Sequence, residues 1–177
     1  SDVSGAFDRV SASRLVEKLS AAGVPDKWLQ VFRSWLRERP VKVAVGGEHS
    51  DTITFKDMVF QGTVCGPQLW NAFYADAKKA IRAMGFEETV FADDLNAFKA
   101  FLIHTPNDEL MKESQVCQDE LHTWGKASQV KFDPDKESMH VTSYREPEGE
   151  NFKNLGVKFD CGLTMEDGVR ETVNEVS

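Results

Sequence analysis

The chain has 177 residues, 41% of them hydrophobic and 28% charged, which suits one domain with a sizeable core. No apolar run reaches the roughly 20 residues that span a membrane, and no signal peptide opens the sequence, so we expect an intracellular protein of the nucleus or cytoplasm, not a secreted or membrane one. A net charge of −8 argues against a stand-alone nucleic-acid binder, and three distant cysteines fit neither a disulfide framework nor a zinc knuckle.

The first half of the chain predicts two helices and a hairpin. Residues 2–10 favour a strand end and a turn, a first helix begins at Ser11 or Ser13 and stops at Gly23, and a second begins at Pro25. Strands at 41–45 and 52–55 follow, joined by a glycine turn. The second helix has apolar positions at helical spacing, namely Trp28, Val31, Phe32, Trp35 and Leu36.

The second half predicts longer helices and further hairpins. A glycine-bounded loop at 61–67 leads into a helix to about Met84, closed by Gly85. A hairpin at 90–101 and a helix at 107–125 are expected after it, and the inward positions of this helix are Leu110, Val116, Cys117, Leu121 and Trp124. Strands at 130–132, 139–141 and 152–159 follow, and then a poorly ordered tail at 160–177. We therefore predict an α+β fold, an antiparallel sheet backed by helices on one face, of the split βαβ (ferredoxin- or RRM-like) kind.

Asp93 and Asp94 lie between the two apolar-rich runs of the predicted 90–101 hairpin. Adjacent carboxylates at the tip of an otherwise buried hairpin repel each other and lose hydration unless a cation neutralises them. A divalent metal would resolve the conflict. Taken alone, the pair is equally typical of a polar turn.

Three stretches together resemble the palm of a reverse transcriptase. They are Asp2-Val3-Ser4-Gly5-Ala6-Phe7-Asp8, Gln61-Gly62-x-x-x-Gly66-Pro67 and Phe91-Ala92-Asp93-Asp94, which resemble motifs A, B and C. The stretch around Trp124-Gly125 and Lys136, and residues 152–157, look like motifs D and E. The resemblance is closest to non-LTR (LINE-type) retrotransposon enzymes and covers nearly the whole chain in the family's order.

The resemblance implies RNA-directed DNA synthesis by nucleotidyl transfer, with an RNA template, a DNA primer and dNTPs as partners. It implies two Mg²⁺ ions, or Mn²⁺, held by Asp2, Asp93 and Asp94, with the Val3 carbonyl as a further ligand. Hard oxygen ligands that converge from separate strands suit such ions and an in-line phosphoryl transfer.

The same resemblance implies roles for further residues. Phe7 falls where the family places the ring that excludes a 2′-hydroxyl, Gln61 and Gly62 where it contacts the nucleotide, and Lys136 where it protonates the leaving pyrophosphate. Taken alone, Phe7 fits core packing, the 61–67 loop fits a simple loop-to-helix connection, and Lys136 fits a surface lysine. Weaker nucleic-acid contacts are expected at Phe152, Leu155, Gly156, Arg33 and Arg37.

Two positions depart from the family pattern, and two rival functions stay open. Phe91 stands where tyrosine is commoner, and Gly66 where serine is also seen. Because the chain begins one residue before Asp2, we expect a palm fragment, residues 1–177 without fingers or thumb, that is inactive alone. The rivals are a group II intron or retron-type reverse transcriptase, and a decayed or domesticated palm that binds RNA or protein.

Overall fold

The computed structural model describes residues 6–92, 94–143 and 145–176, apart from the side chains of Glu175 and Val176. Within these ranges the helices are α1 (Ala12–Ala21), α2 (Asp26–Leu36), α3 (Gly66–Tyr74), α4 (Ala77–Ala83), α5 (Asn107–Ser128) and α6 (Glu166–Val176), with short 3₁₀ helices at Phe7–Arg9 and Pro134–Lys136. The strands are β1 (Arg39–Val41), β2 (Ala44–Val45), β3 (Glu48–His49), β4 (Ile53–Phe55), β5 (Glu87–Phe91), β6 (Asp94–Phe98), β7 (Phe152–Asn154) and β8 (Val157–Phe159). Mixed helices and antiparallel strands confirm the predicted α+β class.

The described strands pair two by two, and every pair is antiparallel: β1 with β4, β2 with β3, β5 with β6, and β7 with β8. The strand predicted at 41–45 divides into β1 and β2. The cause is local, because the backbone N–H of Val43 donates to Ser50 Oγ at 3.0 Å instead of to a strand backbone. None of the described helices is both long and apolar enough to cross a membrane.

The chain divides into two compact units. Unit one comprises the residues up to Lys99 together with Cys117–Glu137, and unit two comprises Ala100–Val116 together with the residues from Ser138 onward. The largest fully buried side chains all belong to unit one: Trp70, Tyr74, Phe73, Leu15, Leu29, Ile81, Val10 and Val59. Unit one therefore contains the main hydrophobic core of the described residues.

Helices α1 and α2 form as predicted, with two differences. Gly23 ends α1 at φ +86°, but the Ser11 hydroxyl does not cap its start; Asp57 Oδ1 accepts the Ala12 N–H at 3.0 Å instead. On α2, Leu29 and Leu36 are buried, whereas Trp28 and Val31 are 52% and 53% exposed. The buried face of α2 is therefore narrower than its apolar spacing indicates.

The single helix predicted at 67–84 is two helices, α3 and α4. In a continuous helix the Phe73 carbonyl would accept the N–H of Ala77. Here it accepts Lys18 Nζ at 2.7 Å, and the same ammonium pairs with Asp76 Oδ1 at 2.8 Å. A lysine on α1 therefore supports the break between α3 and α4.

Several predicted boundaries in the rest of the chain were wrong. Helix α5 continues past Gly125 to Ser128, and Val116 on it is 49% exposed. Residues 130–132 and 139–141 form no named strand in the described structure, although Val141 makes an isolated bridge with Glu148. The strand predicted at 152–159 is the β7–β8 hairpin, because Leu155 and Gly156 turn at φ +49° and +84°. The tail contains α6.

Candidate nucleotide and metal site

The predicted metal ligands fall mostly on residues that the structure leaves undescribed. Asp2, Val3 and Asp93 lie outside the described residues, and Asp94 lies within them. Asp94 is exposed and opens β6 directly opposite Phe91, the last residue of β5. Asp94 therefore lies next to the tip of the β5–β6 hairpin, the element in which the sequence predicted the acidic pair.

The backbone of this hairpin tip is held in a strained conformation. Ala92 has φ +54°, a left-handed conformation that costs an alanine roughly 1–2 kcal/mol. The Trp70 indole Nε1 donates to the Ala92 carbonyl at 2.7 Å. Trp70 is buried in α3 and stacks on Tyr74, with ring centroids 5.0 Å apart. A rigid aromatic side chain thus joins the tip of the β5–β6 hairpin to α3.

Phe7 joins the same group of side chains. It lies half-buried in the first 3₁₀ helix, and its ring centroid is 5.8 Å from that of Trp70. Its carbonyl accepts the N–H of Val59 at 2.8 Å. Phe7 is therefore held between α3 and the segment that precedes the 61–67 loop.

Phe7 and this loop line an open cleft of about 450 Å³, a volume within the range of small-ligand sites. Its lining residues are Phe7, Phe60, Gln61, Gly62, Thr63, Val64, Gly66 and Pro67. The structure thus brings together three predicted nucleotide-contacting residues, Phe7, Gln61 and Gly62, although 54 positions separate the first two.

The loop owes its shape to two glycines and a threonine. Gly62 adopts φ +77°, which favours glycine. Thr63 Oγ1 donates to the Phe60 carbonyl at 2.7 Å, and the Gly66 N–H donates to the Thr63 carbonyl at 3.1 Å. A Cβ at position 66 would lie 3.1 Å from Thr63 Oγ1 and 3.3 Å from the Phe60 oxygen. Glycine at 66 therefore permits the compact loop that begins α3.

Sequence reasoning missed Phe60 and Trp70, and it considered Arg39 only as a phosphate contact or a solvated arginine, not as a neighbour of Phe60. The Arg39 guanidinium carbon lies 4.2 Å from the Phe60 ring centroid, and its Nη2 donates to the Trp35 carbonyl at 2.6 Å. Trp70 was detectable, because it follows Gly66 by four residues on the inner face of a predicted helix. For Arg39, nothing local in the sequence indicates its contact with Phe60, which is 21 residues away.

Other predicted site residues do not line this cleft. Lys136 is exposed on the second 3₁₀ helix, with Nζ 4.0 Å from Asp133 Oδ2. Arg33 is exposed on α2, and Arg37 is exposed just beyond its end. Phe152, Leu155 and Gly156 belong to the β7–β8 hairpin of unit two, where Phe152 stacks on His140 at 4.2 Å.

Among the described residues, Asp94 is the one predicted side-chain ligand of the metal site. Over residues 6–92, 94–143 and 145–176, no group of three His, Cys, Asp or Glu side chains could hold a metal ion. Asp94 supplies one exposed carboxylate, a hard oxygen donor suited to Mg²⁺ or Mn²⁺. The chemistry of this donor fits a divalent ion, with Asp2 and Asp93 as the predicted partners.

Comparison with known families matches residues 1–159 to the family described as reverse transcriptase (RNA-dependent DNA polymerase). The match covers most of the chain, so the chain belongs to the reverse transcriptase family. Its fold is accordingly the palm of a nucleotidyltransferase, an RNA-directed DNA polymerase that in general uses divalent metal ions and binds an RNA template, a primer and dNTPs. A search of curated proteins found no match.

Proposed function

We propose that residues 1–177 form the palm of a non-LTR retrotransposon reverse transcriptase, which joins dNTPs to a primer by two-metal-ion nucleotidyl transfer. One observation carries the proposal. Phe7, Gln61 and Gly62 line one cleft, and Trp70 contacts both Phe7 and the hairpin turn that bears Asp94. Trp70 thus contacts the predicted nucleotide residue Phe7 and the backbone of Ala92, two positions before Asp94, and this supports the proposal.

In this proposal the side chains divide the work of substrate binding. Asp2, Asp93, Asp94 and the Val3 carbonyl hold the ions, which when bound would neutralise the triphosphate and activate the primer 3′-hydroxyl. The Phe7 ring, fixed by Trp70 and by its backbone bond to Val59, closes the space that a 2′-hydroxyl would need. Gln61 offers an amide to the nucleotide, and Lys136 would protonate the pyrophosphate.

The metal site is tested by titrating the chain with Mn²⁺ and measuring free Mn²⁺ by electron paramagnetic resonance. Asp94→Asn removes one anionic ligand, and we expect at least about a tenfold loss of affinity, the low end of the effect of changes around metal sites. Asp51→Asn removes another exposed carboxylate elsewhere in unit one and serves as the matched control. Equal Mn²⁺ affinity in Asp94→Asn and the control would contradict the proposal.

Sugar selection is tested by comparing dATP with ATP in the presence of Mg²⁺. The wild-type chain is expected to bind dATP more tightly. Phe7→Ala opens the cleft and should reduce the ratio of dATP affinity to ATP affinity to about threefold or less. Without steric exclusion by the ring, the 2′-hydroxyl of ATP is discriminated against only weakly. Isothermal titration calorimetry gives both affinities. A wild-type chain that binds the two nucleotides equally would show that Phe7 does not select the sugar.

A further inference from the structure

Among the described residues, the side chains that line the cleft are uncharged, and two of them, Phe7 and Phe60, are aromatic. Phe60 adjoins Gln61 and so forms the start of the loop that the proposed nucleotide contacts. The orientation of its ring therefore affects the shape of the cleft. The contacts that fix this ring lie on the side of β1 and α2.

Phe60 is held by two neighbours. The half-buried Arg39 places its guanidinium carbon 4.2 Å from the ring centroid, a distance that allows a cation–π interaction. Trp35 approaches the same ring edge-on, with centroids 5.5 Å apart and planes at 78°. The ring is thus in contact with a planar cation and with an aromatic ring.

Arg39 is itself fixed. Its Nη2 donates to the Trp35 carbonyl at 2.6 Å, in the last turn of α2, where a cation also interacts favourably with the helix dipole. Its backbone pairs with that of Phe55 across β1 and β4. The hydrogen bond from Nη2 to the Trp35 carbonyl and the backbone pairing with Phe55 restrict the movement of Arg39. Its guanidinium can therefore hold the Phe60 ring in one position.

We propose that Arg39 is a positioning residue for nucleotide binding, acting through Phe60: its guanidinium stacks on the ring and fixes the Phe60 wall of the cleft. The inference rests on the proposed function, since it concerns the same cleft. Because Arg39 acts through the Phe60 ring, it should affect the binding of the nucleoside part of the ligand, whether or not phosphates are attached.

The test compares the affinities of Arg39→Met and wild type for dATP with Mg²⁺, and for deoxyadenosine, which has no phosphate, by NMR titration. We expect Arg39→Met to weaken both by the same factor, about three- to tenfold, the size of a partly desolvated cation–π contact. Lys42→Met, which removes one exposed positive charge just after β1, is the matched control and should change neither affinity. Thermal unfolding and circular dichroism check that each variant folds.

A second background shows whether the effect passes through the ring. In Phe60→Leu, adding Arg39→Met should cause no further loss, because the ring on which Arg39 stacks is gone. If Arg39→Met does not fold, Arg39→Lys replaces it with the same expectation, since lysine keeps the charge and loses the planar guanidinium.

The outcomes separate the two proposals. A loss confined to dATP would mean that Arg39 acts as a charge on the phosphates, and it would overturn the inference, as would an unchanged affinity or an undiminished loss in Phe60→Leu. In each of these cases the wild-type chain still binds dATP, so the proposed function stands. A wild-type chain that binds neither ligand refutes the proposed function and this inference with it.

Discussion

The carboxylate of Glu88 shows how one residue can fix an element in place. It accepts two hydrogen bonds from the Arg82 guanidinium, each 2.8 Å long, and so joins β5 to α4. The Glu88 side chain is 1% exposed, whereas that of Arg82 is 69% exposed. The hydrogen bond from Arg82 lowers the pKa of Glu88, against the opposing effect of burial. Folding therefore favours the ionised carboxylate.

This pairing gives a stability contribution that depends on pH. Since the pKa of Glu88 is lower in the folded chain than in the unfolded one, the contribution is complete above the unfolded value of about 4.5 and is lost as the pH falls through the folded value. We expect Glu88→Gln to lower the urea midpoint at pH 7, with a deficit that shrinks steadily below pH 4.5. Urea unfolding at pH 7, 5 and 3.5 measures it.

Glu87→Gln is the control for this measurement, because Glu87 is the exposed neighbour on the opposite side of the same strand. Glu87→Gln should change the urea midpoint only slightly at all three pH values. A deficit in Glu88→Gln that does not vary with pH would mean that shape or packing, and not ionisation, explains the contribution.

At the scale of elements, α5 passes through a position where the sequence predicted its end. Gly125 is buried inside the helix, and a Cβ built there would lie 2.8 Å from Phe132 Cε2 and 3.1 Å from the Val130 carbonyl oxygen. The glycine permits Phe132 to pack directly on the helix backbone. It serves close packing, and the helix continues for three more residues.

Gly125→Ala sets helix propensity against packing. Alanine gains up to about 1 kcal/mol of helix propensity, but overpacking of a buried site costs about 1–3 kcal/mol. Because the Val130 carbonyl belongs to the backbone and cannot rotate away, we expect a net destabilisation of about 1 kcal/mol or more. Urea unfolding measures it, with Ala127→Gly, exposed on the same helix, as the propensity control. A more stable Gly125→Ala would show that the Phe132 ring moves aside at little cost.

The sequence predicted an element correctly where its cause is local, and incorrectly where the cause lies far away along the chain. The turns at Gly23, at Gly46 and Gly47, and at Gly85 were predicted correctly, because a positive φ is a local demand that glycine meets. The break between α3 and α4 was not, because the side chain that supports it, Lys18, lies 55 residues before Phe73. Gly125 misled because a glycine that stops a helix and one that permits close packing look alike in sequence.

The same distinction applies to the site. The hairpin tip at Asp94 and the loop at Gln61 followed from local patterns, and the resemblance supplied the role of Phe7. The contacts that join them, from Trp70 to the Ala92 carbonyl and from Arg39 to Phe60, depend on side chains from separate elements. The spacing of residues along the chain does not predict such contacts.

At the scale of the whole molecule, charge sets a limit on nucleic-acid binding. The net charge is −8, and residues 101–177 carry 8 Lys and Arg against 16 Asp and Glu, whereas residues 1–45 carry 8 against 5. Binding to a polyanion depends on cations that replace its counterions. The positive charge available for a primer–template is concentrated in the N-terminal quarter of the sequence, which includes Arg33 and Arg37.

We therefore expect the 177-residue chain to bind an RNA–DNA duplex only weakly, with a Kd above about 10 μM at physiological salt, in the range of non-specific binding. It should not extend the primer. Fluorescence anisotropy with a labelled duplex measures the affinity, and a gel assay with Mg²⁺ and dNTPs measures extension. Sub-micromolar binding or processive extension would contradict this expectation.

The salt dependence locates the residual binding. Replacing Arg33 and Arg37 together with glutamine should make the slope of log K against log salt shallower by about 1–2, because each lost phosphate contact removes about 0.9. Replacing the exposed Lys112 and Lys126 with glutamine removes the same charge from a different helix and should leave the slope unchanged. Equal slopes in the two double variants would mean that α2 is not the contact surface.

The bond from the Trp70 indole to the Ala92 carbonyl places a natural chromophore beside the acidic turn. Indole emission shifts with the electric field at the ring, so a cation that neutralises the carboxylates of the turn changes the emission wavelength of Trp70. Because Trp70 is 1% exposed and Trp28 is 52% exposed, a soluble quencher suppresses Trp28 and spares Trp70. Trp35 and Trp124 are half-buried and also emit, so the signal of Trp70 is the part of the emission that Trp70→Phe removes. The fold thereby contains its own spectroscopic sensor of cation arrival, readable without a label and without turnover.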